Sequence, residues 1–261
     1  MSEGRPPSQP DSDVFGDHSL AIRQALVETS ERLVDAADMI LRSTPPVSSL
    51  WEDVLLGFAG KSLKTYRAIM LLCLHGYGED ASILLRSLME SAVHLSYISA
   101  DPENRSRLFA EYDHILRKRF LDDALRMGLI PEDRVKEERR EILASYREVE
   151  RNYPDKLSWS GKSIKEMARE SDLLWHYGVV YRLSSDFVHA SPSGIDHYLR
   201  QEGPLREVAS GPGEAWINES LAAGSEMLLH VLFVYDRALE LGFSPQLDEI
   251  LESLPRSKAA D

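Results

Sequence analysis

The 261-residue chain has one cysteine, Cys73, inside the apolar run "IMLLCLHG". One thiol makes no internal disulfide, and without a CxxC pair there is no local zinc motif. Long apolar runs are missing too. The longest, around residues 68–74, falls far short of the roughly 20 residues that cross a bilayer. The opening "MSEGRPPSQPDSDVFGD" is polar and lacks the apolar core of a secretory signal, so a cytoplasmic setting is expected. Positive charge is scarce: 30 Lys and Arg stand against 43 Asp and Glu, a net charge of -13. Such a balance argues against broad nonspecific binding to DNA or to anionic membrane surfaces, while leaving room for a small basic pocket. No phosphate loop, dinucleotide fingerprint or Gly-x-Ser-x-Gly elbow is present, and no cofactor is expected. Strand alternation bounded by turn signals is absent, as is any fixed-period repeat.

Helical periodicity fills most of the remainder. "SLAIRQALVETSERLVDAADMILRS" carries an apolar stripe and stops at "TPPVSS", where proline removes an amide donor and crowds the preceding turn. A second long helix opens at a serine cap, "SSLWED", and ends at "GYG". "EDASILLRSLMESAVHLSYISA" is apolar on most sides and therefore central. A fourth helix starts at Asp101-Pro102 and closes at Gly128. A fifth is highly charged and turns Ile142, Leu143, Tyr146 and Val149 inward. After a short helix, "DLLWHYGVVYRLSSDFVHAS" is the sixth long one. "PSGIDHYLRQEGPLREVASGPGE" reads as an irregular crossing, with a pattern too weak to assign a hairpin, and "EAWINESLAAGSEMLLHVLFVYDRALELG" is the last long helix. The fold expected is all-α, one bundle of about six or seven long helices. Residues 1–17 are expected as a disordered tail, 18–244 as the helical domain and 245–261 as a helical or disordered tail.

Two polar clusters interrupt the apolar surfaces. Arg86, Glu90 and His94 follow one another at four-residue spacing, on one side of the third helix. One reading is an intrahelical ion pair that touches a neighbouring helix. The other makes Arg86 an anion-binding donor held by Glu90. A metal is a poor match, because helical carboxylate sites repeat Glu-x-x-His on paired helices, and here Glu-x-x-x-His occurs once. In "YRLSSDFVHASPSG", Arg182 and His189 stand about 10 Å apart along the helix on the same side. Ser185 or Asp186 is placed to bond the imidazole, with Tyr181 and Ser184 nearby. The plain alternative is that His189 is a helix C-terminal residue favoured by the dipole. A Ser-His hydrolase is not favoured, since all these groups share one helix.

"HGYGEDASILLRSLMES" together with "YRLSSDFVHASPSG" resembles a mainly bacterial helical family, domain of unknown function 5677, over roughly residues 50–240. The resemblance implies a helical protein whose characteristic positions are Arg86, Glu90, Ser185 and His189, and it brings no established activity. "RLSSDFVH" is also distantly similar to the Arg-x4–6-His mark of the HEPN superfamily, helical nucleotide-binding and ribonuclease proteins. That likeness implies a homodimeric, metal-independent ribonuclease with His189 as general base and Arg182 steadying the phosphorane. Leu183 stands where those enzymes often carry a polar residue. The expectation is a polar pocket between the third and sixth long helices, lined by Arg86, Glu90, Ser185 and His189 with Arg182 and Tyr181 near its rim. It would bind an anionic ligand, a nucleotide or RNA phosphate. The competing expectation is a non-enzymatic interaction module in which the same residues lock two helices together.

Overall fold

The computed structural model describes residues 12–131, 135–153, 158–188, 192–196, 198–202 and 205–255. Its architecture follows from where apolar side chains leave little polar surface. Helix α3 (Gly78–Ser99) buries residues around most of its circumference, including Leu85, Leu88, Met89, Ala92, Val93 and Leu95. A helix with so little polar surface must be surrounded. It packs on α2 (Leu50–Leu74), α9 (Ile217–Leu239) and α7 (Leu174–Val188), with α4 (Pro102–Arg126) and α6 (Ile164–Glu170) covering its remaining sides. Helix α1 (Ser12–Arg42) lies against α9 and α2. Helix α5 (Lys136–Val149) packs on α4 and buries Tyr146 and Val149, with Ile142 and Leu143 half-buried beside them. A short α8 (Pro192–Asp196) follows α7. The class is all-α, and seven helices among the described residues run 14 residues or more.

Local chemistry explains the helix ends. Ser49 caps α2 in a reciprocal box: its hydroxyl accepts from the Glu52 amide at 3.2 Å, and the Glu52 carboxylate accepts from the Ser49 amide at 3.0 Å. Ser163 and Glu166 repeat the device at α6. Pro102 begins α4, where its missing amide costs nothing, and Gly128, at φ +67°, ends it.

A polar node sits in the core. The fully buried Tyr66 hydroxyl bonds Ser30 Oγ at 2.7 Å and Ser225 Oγ at 2.6 Å, tying α2 to α1 and α9. Gly224 makes room for the ring: a Cβ there would stand 3.1 Å from Tyr66 Cε2.

One feature departs from the sequence reading, and two resolve what it left open. Helix α1 begins at Ser12, so residues 12–17 continue the helix instead of standing in a tail. The irregular crossing holds an antiparallel hairpin, β1 (Leu199–Glu202) paired with β2 (Leu205–Val208). Four-residue strands rich in charge give too few alternations to register as a period. The last segment folds as α10 (Ser244–Ser253), whose Leu247 and Ile250 are buried against α1 and α9. The buried Asp236 carboxylate fixes its start, accepting from the Phe243 amide at 2.8 Å and the Ser244 hydroxyl at 2.6 Å. Among the described residues, no helix is long and apolar enough to cross a membrane.

Candidate functional site

The third and sixth long helices of the sequence reading are α3 and α7, and they lie side by side. Arg86 bridges them. Its Nε donates to Glu90 Oε1 at 3.2 Å, one turn along α3. Its Nη2 donates to the Tyr181 hydroxyl of α7 at 3.0 Å, and the guanidinium carbon lies 4.4 Å from the centre of the Tyr181 ring. Tyr177, one turn earlier on α7, packs at a tilt against Tyr181 with ring centres 5.0 Å apart. Burial and the neighbouring Tyr181 raise the Tyr177 phenol above its ordinary range, so it remains a neutral hydroxyl.

A second cation reaches the same face from α2. Lys61 Nζ donates to Ser91 Oγ at 2.6 Å and Ser87 Oγ at 3.2 Å. Burial lowers its pKa, and the nearby Glu90 charge opposes that shift. Among the described residues, Arg86 and Lys61 thus both stand near the Glu90 carboxylate. Ser87 and Ser91 sit next to Arg86 and Glu90 in "RSLMES", and Tyr177 precedes Tyr181 by four residues. These neighbours were readable as a spacing. Lys61 was not, because only the packing of α2 on α3 brings it there.

His94 does not join this cluster. Four residues advance about 40° beyond a full turn, so two such steps carry His94 about 80° away from Arg86. It lies among Phe58, Phe109 and Trp159, with ring centres 5.8–6.2 Å away. Its Nδ1 accepts from Trp159 Nε1 at 3.1 Å, which places any ring proton on Nε2. Burial, then the charge of Lys61, pushes its pKa down to about 4. It is a neutral packing group. His230 on α9 is comparable: it bonds Ser96 Oγ at 2.6 Å, and burial, then His176 and Arg237, lower it to about 4.

On α7 the expected residues divide. Tyr181 faces α3. Arg182, the next residue, is exposed, and its Nε donates to the Gly178 carbonyl of its own helix at 3.2 Å. Ser184 is buried, with its hydroxyl donating to the Val180 carbonyl at 2.9 Å. Ser185 belongs to α7, but its side chain lies outside the described residues, as does that of Asp186; His189 lies outside them altogether. The structure thus brings together Arg86, Glu90 and Tyr181 and leaves Arg182 apart from them. Among the described residues, no group of three or more His, Cys, Asp or Glu could hold a metal ion.

The "HGYG" turn has a separate structural role. His75 ends α2, its Nδ1 2.8 Å from the Leu71 carbonyl oxygen. Gly76 has φ +80°, and a Cβ there would stand 2.8 Å from Pro212 Cβ. At Gly78 a Cβ would fall 2.1 Å from the Ala215 carbonyl oxygen. The Gly213 amide bonds the Gly76 carbonyl at 2.8 Å and the Ser220 hydroxyl bonds that of Gly78 at 3.2 Å, so the turn is clamped by the segment entering α9. Both glycines are required by close backbone approach.

No curated protein and no solved structure matches the chain. A family model does, and its match runs from the first turn of α2 to the hairpin, taking in Lys61, Arg86, Glu90, Tyr177 and Tyr181. It is the model described as Family of unknown function (DUF5677), it matches residues 52–205, more than half of the chain, and the chain belongs to that family.

Proposed function

We propose that the face shared by α2, α3 and α7 binds an anionic ligand, a nucleotide or an RNA phosphate. The observation that carries the reading is the guanidinium of Arg86 held between Glu90 and Tyr181 on two helices. A donor fixed in this way loses little freedom when it meets a phosphate, so more of the contact energy remains for binding. Lys61 supplies a second cation, and Ser87 and Ser91 supply hydroxyls. Glu90 keeps Arg86 aimed, and a phosphate would compete with it for the guanidinium. The proposal extends to a homodimer working in the cytoplasm.

A second reading has its own support. Arg86 already spans α3 and α7 through an ion pair, a hydroxyl and a ring, which suits a lock between helices in an interaction module. Removing Arg86 costs about 1–3 kcal/mol, from a partly exposed ion pair that water screens and a hydrogen bond to Tyr181.

Calorimetric titration with AMP, ATP and a short single-stranded RNA separates the two. Binding predicts saturable heat in the wild type, lost in Arg86→Met and weakened about tenfold in Tyr181→Phe, where one donor loses its anchor. No saturable heat from any of the three ends the proposal, and a large drop in melting temperature for Arg86→Met then favours the lock. Metal-free cleavage of the RNA that disappears in His189→Ala would instead establish the HEPN-like ribonuclease.

A further inference from the structure

A half-open cleft of about 310 Å³ lies away from the α2–α3–α7 face, where α1, the end of α2 and the segment entering α9 meet. Val27, Leu74, Ile217 and Leu221 give it apolar walls. Its charged lining is Arg23 of α1 and Glu214 of the entering segment, and His75 also lines it. Cys73 contributes a neutral wall: burial pushes its thiol up to about 12.

Arg23 is the unusual member. Its side chain is 20% exposed, and its Nε is buried with no hydrogen-bond partner among the described residues. Its Nη2 meets Glu214 Oε2 at 3.6 Å, too long for a good charge-assisted bond. Nε and Nη2 form the side-on edge by which a guanidinium grips both oxygens of a carboxylate. Here one atom of that edge has no acceptor and the other has a loose one. Glu214 is 85% exposed and free to turn away. Its carboxylate lies beside Nη2 and would have to move for another to take that edge.

We infer that this cleft binds a small organic monocarboxylate, with its carboxylate on the Nε–Nη2 edge of Arg23 in place of Glu214 and its apolar body against Val27, Leu74 and Ile217. A single cation matches a single negative charge, and the apolar walls select against a bare inorganic anion. Glu214 acts as an internal competitor that the ligand displaces.

The test uses the full chain and hexanoate as the probe, with hexanol and inorganic phosphate as comparisons, followed by amide shifts in NMR spectra. Hexanoate is expected to saturate in the millimolar range, moving the amides of Gly76 and Gly213. Glu214→Gln is expected to tighten it several-fold by removing the competitor. Arg23→Met is expected to weaken it about tenfold or more, with the amides around Ser87 and Tyr181 unmoved throughout. Absence of saturation in Glu214→Gln overturns the inference, as does equal affinity in a folded Arg23→Met, or equal saturation by hexanol or phosphate. If Arg23→Met fails to fold, the comparison of Glu214→Gln with wild type and of hexanoate with hexanol decides alone. Nucleotide binding at Arg86 is measured separately, so either proposal can fail without the other.

Discussion

Acid is expected to destabilise this fold before its carboxylates titrate. His94 and His230 are both largely buried and both held neutral, with pKa values lowered to about 4. Once the chain unfolds, each imidazole returns to about 6.5 and takes up a proton. Below 6.5 the unfolded state therefore binds more protons than the native one. Stability is full above about pH 6.5 and falls as the pH drops toward 4. Near pH 5.5 the difference is about 0.9 proton per histidine, which gives a slope of about 1.2 kcal/mol per pH unit for each and twice that for the pair. The full excursion for each is roughly 3 kcal/mol, a large share of a typical domain's 5–15 kcal/mol. Urea melts taken between about pH 5 and 6.5 read the slope directly, in a window where carboxylates with ordinary values titrate little. The double variant His94→Gln, His230→Gln keeps hydrogen-bonding groups for Trp159 and Ser96 but cannot titrate. It is expected to flatten the curve in that window. A double variant as steep as the wild type would refute the assignment of these imidazoles as buried and neutral.

Two glycines in helices give opposite expectations. Gly78→Ala drives a Cβ into the backbone of the segment entering α9 and is expected to lower stability by roughly 3 kcal/mol or more, read by urea melts. Gly57→Ala meets nothing within 4 Å and is expected to be neutral or to gain up to about 1 kcal/mol from helix propensity. Tyr66→Phe leaves the Ser30 and Ser225 hydroxyls without their shared partner in the core, for an expected loss of about 1–3 kcal/mol in the same melts. Ser49→Ala removes one half of the α2 capping box and is expected to cost about 1 kcal/mol.

The helices were legible because their signals are local. The Pro-Pro stop after α1, the serine cap of α2 and the predominantly apolar surface of α3 each lie within a few residues of what they determine. The Arg86–Glu90 pair was legible for the same reason, as an i,i+4 spacing on one helix. Lys61, by contrast, joins Ser87 and Ser91 through the contact of α2 with α3, and no short spacing records that contact. His94 shared the four-residue spacing yet turned away, since the angular drift accumulates and an aromatic nest lies where it points. The burial of α10 depends on a carboxylate at Asp236 and on a surface of α1 more than two hundred residues earlier. Gly78 shows the same limit: its need for glycine comes from Ala215, far along the chain.

Helix α5 leans mainly on α4, while α3 is enclosed on nearly every side. Contact with one neighbour makes detachment a smaller event than global unfolding. In deuterated water the amides of α5 should therefore exchange ahead of those of α3, and limited proteolysis should nick α5 while the rest of the bundle survives as a resistant fragment.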